Sequence, residues 1–453
     1  MKRFDLIVKQ ELQLLEQHIR ECFSLSFLEQ LARETGFIRR KRKWGVREFV
    51  SLCVFLSQQI STASLTELCQ HVYMSNHLLV STESLNQKFN TAAVELMKRL
   101  VAHLLHKNHL ERSKADIPEV WELFKRIKIL DSTGFPLHPA FTRFYRGTRR
   151  SSEMRVQLEY EVISSSLSQI ELTEGIENDN TYGQQHTNTI EAGDLSIRDL
   201  GYLYFPDFKK MDEKGAYYVS RLRLNSRVYR KEGEVYQLID IQKELAHLEE
   251  GECIEWDDVY VGAEHKLPTR VVIYKLTEEE YQQRGQSLKK VEQRKRKTFK
   301  KKTKERSEFS LLITNLPSTK VSASDVYKLY SIRWRIEIVF KTWKSLMKIH
   351  ACKPVKLERF LCHVYGQLIA LLLQSTLLFR MHRLLWRKRQ KEVSLYKATY
   401  MFRDYLPKIY DALFGNSLSF PSVLFELWNF LEKNGALAHR YRKKSVFDIL
   451  YSI

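Results

Sequence analysis

Over the first 120 or so residues, apolar positions recur at helical spacing, as in Phe49, Val50, Cys53, Val54 and Leu56, with little strict alternation. The pattern predicts an all-helical region. Within it Leu65 to His71 and Thr82 to Phe89 have the spacing of a helix-turn-helix whose second helix enters a DNA groove, and an ordinary helical bundle fits the same spacing. At Ile127 the pattern changes. Ile127-Lys128-Ile129-Leu130-Asp131 reads as a short strand closing on a carboxylate, followed by the turn-prone Ser132-Thr133-Gly134. Met154, Val156, Leu158, Tyr160 and Val162 then alternate with polar residues, the period of a half-buried strand, and Ile170-Glu171-Leu172 is expected to return beside it. Leu195 to Asp199 is a second short run closing on a carboxylate, and Ala216 to Leu224 a further strand. Strands with helices between them predict a mixed α/β sheet.

From about Asn225 to Glu308 that rhythm gives way to hairpin-like segments such as Val228 to Tyr236, then to a basic run. Between Arg284 and Arg306 stand twelve Lys or Arg against two Glu, which is half of the charge excess of the whole chain. This is expected to be a β-rich insertion ending in a basic arm, with a solvated helix as the plain alternative. Leu311 to Thr314 resumes strand character, and Val364 to Phe379 is apolar but interrupted by Gly366, Gln367, Gln374, Ser375 and Thr376. A buried helix is expected there rather than a membrane span of roughly 20 residues.

Composition narrows the partner. The 453 residues carry 74 Lys and Arg against 54 Asp and Glu, a formal charge of +20, with 12% aromatics. That balance favours a polyanion, nucleic acid before an anionic membrane. Six scattered cysteines without a Cys-x-x-Cys pair exclude a zinc ribbon or a disulfide scaffold. The N-terminal MKRFDLIVKQELQLL has no apolar core followed by a cleavage site, so a mature cytoplasmic protein is expected. His103, His106 and His109 drift around a helix and lack a further ligand, and no phosphate-cradling Gly-x4-Gly-Lys-Ser/Thr run occurs. Further basic clusters lie at Arg39 to Lys43, Arg380 to Lys391 and Arg440 to Lys444.

The most informative segment runs from Tyr330 to Lys344. Read as one helix at about 100° per residue, it puts Tyr330, Arg333, Glu337 and Lys344 on one stripe and Ile332, Ile336 and Val339 on the opposite, apolar face. A surface ion pair is the simpler account of such a stripe. With Asp131 and Asp199 at two strand ends, however, coincidence becomes a poorer account of it.

On these residues the chain resembles bacterial DDE transposases of the insertion sequence 4 family, 231-like group. Tyr330, Arg333, Glu337 and Lys344 match that family's Tyr-x2-Arg-x3-Glu-x6-Lys signature, Asp199-Leu200-Gly201-Tyr202-Leu203-Tyr204 its second block, and Asp131 in Ile-Leu-Asp-Ser-Thr its first. The resemblance implies a catalytic, metal-binding triad of Asp131, Asp199 and Glu337, with Tyr330, Arg333 and Lys344 on DNA. Asp194, Asp207 and Asp212 compete with Asp199, which alone has Gly two residues on and an aromatic five residues on. Trp334 and Trp343 are expected to pack beside the catalytic helix.

The implied architecture is an RNase H-like α/β core in two parts (121–224 and 309–350), split by the β-rich insertion (225–308). A helical DNA-binding region (1–120) precedes it and a helical region (351–453) follows. The implied activity is Mg²⁺-dependent cleavage at the ends of an insertion element, with Mn²⁺ as a substitute, and joining of the 3′-hydroxyls to target DNA. Double-stranded DNA is the partner, as terminal inverted repeats and as target, acted on by a homodimer in the bacterial cytoplasm at the nucleoid and without a membrane. A catalytically inactive DNA-binding derivative and a stand-alone RNase H-like nuclease are the alternatives.

Overall fold

The computed structural model describes residues 2–40, 44–56, 58–112, 123–148, 150–163, 166–185, 189–295, 308–389, 392–415 and 418–437. Lys41 to Lys43, the second half of the basic arm (296–306) and the cluster at 440–444 lie outside the described residues.

Six helices open the chain: α1 (Lys2–Cys22), α2 (Leu25–Glu34), α3 (Val46–Ser51), α4 (Leu65–Asn76), α5 (Thr82–Lys88) and α6 (Thr91–Arg112). A π-helical turn, Leu52–Leu56, continues α3. Serine caps set several starts. Ser64 Oγ accepts from the Glu67 N–H while Glu67 accepts from the Ser64 N–H, a reciprocal capping box that begins α4, and Ser81 Oγ accepts from the Ser84 N–H to begin α5. The two expected helices thus stand in place, α5 being seven residues long.

Then follow β1 (Arg126–Pro136), β2 (Glu153–Glu161), β3 (Ser166–Glu174), α7 (Asp179–Gln185), β4 (Asp194–Arg198), α8 (Phe205–Glu213), β5 (Tyr217–Arg221), β6 (Val228–Glu232), β7 (Val235–Leu238), α9 (Ile241–Leu245), β8 (Cys253–Val261), β9 (Leu267–Lys275), α10 (Glu278–Lys295) and β10 (Phe309–Thr314). The chain ends in α11 (Ala323–Ser331), α12 (Trp334–Thr342), a π-helical turn (Trp343–Met347), α13 (Leu357–Arg389), α14 (Leu395–Phe414) and α15 (Phe420–Asn434).

Two compact units emerge, each assembled from separate stretches of chain. One comprises Met1–Asp116, Ser132–Ile176 and Ile336–Lys443, the other Ile117–Asp131, Glu177–Arg335 and Lys444–Ile453. In the first, β2 and β3 pair antiparallel, in the order β3-β2-β1 with the far half of β1. Here α13 packs along α6 and against the turn Leu52–Leu56. Gly366 permits that approach, since a Cβ there would stand 2.3 Å from the Cys53 carbonyl oxygen. By length and composition Leu357–Trp386 is apolar enough to cross a membrane, and 83% of its 18-residue apolar window is buried inside the protein. Of the basic cluster at its end, Arg380 meets Glu11 at 3.5 Å and Lys388 meets Glu432 at 2.8 Å.

In the second unit the strand order is β1-β4-β5-β10-β9-β8-β6-β7. β1, β4 and β5 run parallel, and β10 and the strands beyond it pair antiparallel. The segment 225–308 is therefore not a separate sheet, because β9 pairs with β10 over Phe309 to Thr314. Its β6–β7 hairpin turns at Gly233, whose φ of 60° suits glycine. Phe208, Tyr218, Val228, Trp256, Ile273 and Ile313 contribute to its core.

Two local expectations are corrected. Ser132 to Gly134 is strand rather than turn, because β1 continues to Pro136, so Asp131 lies inside the strand. The stretch from Tyr330 to Lys344 is not one helix. The Ile332, Arg333 and Arg335 N–H groups each bond three residues back, a tighter turn that separates α11 from α12, and the π-turn then carries Lys344. The single 100° stripe is lost, although Ile332, Ile336 and Val339 are all buried.

Candidate active site

Parallel pairing places the first two carboxylates. Leu130 pairs with Arg198 on β4, and Arg198 with Ser220 on β5, so Asp131, Asp199 and Arg221 stand one step further on in three neighbouring parallel strands. All three are half-buried. Asp131 is thus the point where β1 leaves its pairing with β4, and Asp199 the residue at which β4 gives way to a 3₁₀ turn, Leu200–Tyr202.

Each carboxylate receives a partner from the end of α11. The buried Tyr330 hydroxyl donates to Asp199 Oδ1 at 3.0 Å. Arg333, in the turn that follows, donates from Nη1 to Asp131 Oδ2 at 3.2 Å. Burial, and next the Asp199 carboxylate, push the Tyr330 phenol well above its ordinary range, so it remains a donor. Two signature residues read as DNA contacts therefore turn inward onto the two aspartates.

Beneath Asp199 the strand is braced by charge. Arg198 Nη1 meets Asp207 Oδ2 at 3.2 Å with both side chains all but sealed from solvent. Burial raises the Asp207 carboxyl while Arg198 opposes it. Tyr182 and Tyr202 are buried with Leu130 in the same region. Asp194 is buried too and receives a two-pronged contact from Arg126, at 2.7 and 2.6 Å, with Lys128 at 3.7 Å. Asp212 accepts from Asn315 at 2.7 Å. The three competitors of Asp199 are all engaged in holding the fold.

A second cationic pair lies beyond what the sequence pattern indicates. Arg284 of α10 donates to the Phe309 carbonyl at 3.0 Å, and burial together with Arg221 lowers its pKa. Arg221 shares the strand-end placement that singles out Asp131 and Asp199, whereas Arg284 carries no signal beyond its place in a basic run. Nearby, Tyr274 and Tyr327 stack at 3.9 Å and both donate to Glu280, fastening α10 to α11.

Glu337 and Lys344 belong to the first unit. Glu337 is exposed in the first turn of α12, where the positive end of the helix dipole favours a carboxylate. Lys344 donates from Nζ to the Gly134 carbonyl at 2.9 Å, and burial lowers its pKa against the pull of Glu153. Trp343 is buried, with Phe340 edge-on at 5.8 Å, and Trp334 lies under Arg335. Asp131 and Asp199 offer hard carboxylate oxygens on adjacent strands, a donor chemistry that fits Mg²⁺. Among the described residues no group of three or more His, Cys, Asp or Glu is gathered for a metal.

Comparison with known proteins finds relatives that span nearly the whole chain. The family model described as "Transposase DDE domain" matches residues 122–373. The transposases for insertion sequence elements IS231B and IS231D, from Bacillus thuringiensis subsp. berliner and subsp. finitimus, are each 37% identical over 98% of this chain and 96% of their own. That for IS1151 from Clostridium perfringens is 31% identical over 98% of this chain and 97% of its own. Among solved structures, the piggyBac transposase synaptic complex with hairpin DNA covers 96% of this chain and 87% of its own at 10% identity and a TM-score of 0.48, a likeness too slight to carry an argument.

Proposed function

Since the chain belongs to the DDE transposases of the IS231 type, we propose that it binds the terminal inverted repeats of an insertion element, cleaves the DNA at its ends and joins the 3′-hydroxyls to target DNA. The observation that carries this reading is the alignment of Asp131 and Asp199 on adjacent parallel strands, each held by a residue of the signature. Glu337 completes the triad in an RNase H-like core, and the three carboxylates would hold two Mg²⁺ ions, for which Mn²⁺ would substitute. Bound there, the ions supply an activated attacking oxygen and charge neutralisation at the leaving one.

This chain's own groups orient and steer. Tyr330 fixes the Asp199 carboxylate through one oxygen, and Arg333 fixes Asp131 in the same way. Arg333, with Arg221 and Arg284 near Tyr330, supplies positive charge for phosphates flanking the scissile bond. Lys344 contacts DNA further along the same strand. The helical residues 1–120 grip the repeats, the segment 225–308 and its basic arm embrace the DNA, residues 121–224 and 309–350 form the core, and the helical 351–453 supports it. A homodimer pairs two element ends in the bacterial cytoplasm, at the nucleoid.

The test is cleavage and joining of a duplex bearing the element's terminal repeat, with Mg²⁺, comparing the parent with Glu337→Ala, Asp131→Asn and Asp199→Asn. Each variant is expected to bind the repeat and neither cut nor join. A variant that cuts like the parent removes its residue from the triad, and cutting without joining to a second duplex makes the protein a nuclease.

A further inference from the structure

In the first unit a cleft of about 960 Å³ lies among α2, residues 36–40 and 44–45, and α5. We propose that it holds the sugar–phosphate backbone of duplex DNA, an inference that rests on the transposase reading above and assigns part of its DNA grip to particular side chains.

Five cationic side chains line the cleft: Arg33, Arg39, Arg40, Arg47 and Lys88. Its two carboxylates are already engaged. Glu29 meets Arg33 at 3.3 Å. Glu48 meets Arg47 at 2.9 Å through Oε1, and its Oε2 accepts from the Gly45 N–H at 2.9 Å, closing the start of α3. Arg39 and Arg40 are exposed, and among the described residues no carboxylate meets either. The Lys88 ammonium is held 4.8 Å from the Phe37 ring centre and 5.7 Å from that of Trp44. Lys88 thus sits over an aromatic floor, and Arg39 and Arg40 carry the cleft's cationic charge beyond that of its two carboxylates.

An excess of guanidinium over carboxylate is an electrostatic footprint for a polyanion. Burial of the rings selects among polyanions. Phe37 and Trp44 are only 8% and 6% exposed, so neither presents an apolar surface to insert into a lipid bilayer. Nor can a buried ring stack on an unpaired base, which leaves the backbone as the part of DNA that fits. Such contacts position a duplex without reading its sequence.

The experiment uses the full chain. Affinity for the terminal-repeat duplex and for an unrelated duplex is measured across salt for the parent, for Arg39→Gln/Arg40→Gln, and for the charge-keeping Arg39→Lys/Arg40→Lys, with the thermal midpoint of each recorded. The glutamine variant is expected to keep the parent's midpoint and to weaken on both duplexes by the same factor. Its slope of log affinity against log salt should be shallower by about 2, near 0.9 for each phosphate that the variant no longer neutralises, and the lysine variant should restore it. If the parent binds and cuts the repeat while the glutamine variant matches it in affinity and slope, the cleft assignment falls and the transposase reading stands. A parent that binds neither duplex overturns both. Loss of binding to phosphatidylserine vesicles in the glutamine variant, with DNA binding intact, overturns the assignment in favour of a membrane.

Discussion

The Tyr330 hydroxyl donates to Asp199 Oδ1 at 3.0 Å, so the first residue of the signature acts on the second carboxylate of the proposed triad rather than on solvent. Tyr330→Phe keeps the buried ring and deletes only the donor. Net loss of one hydrogen bond costs about 0.5 to 1.5 kcal/mol of stability, a small shift in the unfolding midpoint, whereas an unrestrained Asp199 is expected to slow cleavage by roughly tenfold or more, since misplacement of a reacting group is costly. Because burial and Asp199 hold the phenol well above its ordinary range, the cleavage rate should show no tyrosine ionisation up to about pH 10, the ordinary value. An inflection below pH 10 that vanishes in Tyr330→Phe would contradict this arrangement.

Arg333 and Asp131 form the parallel case, an ion pair at 3.2 Å whose side chains are 18% and 19% exposed. Arg333→Ala removes this guanidinium from beside Asp131 and is expected to reduce cleavage strongly. Arg333→Lys keeps the charge but not the planar fork, so it should recover part of the rate and not all of it. Comparable rates for Ala and Lys would show that charge at this position does not matter.

Much of this arrangement is legible in the sequence, for identifiable reasons. Strand runs reaching Asp131 and Asp199 follow from alternation and apolar content, and the two aspartates stand one step beyond the last paired residues of β1 and β4. Local pattern fails where tertiary context overrides propensity. Ser132 to Gly134 carries turn-forming residues yet belongs to β1. The interruption at Ile332 and Arg333 has no Gly or Pro to announce it, and without it the two side chains would not be read as serving different aspartates. The tie of Arg126 to Asp194 is hidden as well. It is a cross-strand pair, visible only once the register of β1 against β4 is known.

Arg198 and Asp207 lie under the Asp199 turn with 1% and 0% of their side chains exposed. Breaking a buried pair by removing one partner costs about 3 to 5 kcal/mol, because the remaining charge is stranded. Arg198→Met alone is therefore expected to destabilise by that amount in urea unfolding, and to impair cleavage through the adjacent Asp199. The double variant Arg198→Met/Asp207→Leu should recover most of the stability. A single variant as stable as the parent would mean the pair contributes nothing to the fold.

His363 gives a pH dependence with a definite sign. It is 1% exposed on α13, and burial pushes its pKa down to about 4, more than the Lys348 backbone restores. The ordinary value is about 6.5, so the unfolded chain takes up a proton before the folded one does. The contribution of His363 to stability is accordingly complete above pH 6.5 and is lost as the pH falls towards 4. Two and a half pH units correspond to about 3 kcal/mol at most, from about 1.4 kcal/mol per unit. Urea unfolding of the parent between pH 7 and 4 should show this decline, and His363→Gln, which has no proton to gain, should show a flatter one. Equal slopes in the two proteins would assign the acid sensitivity to other groups.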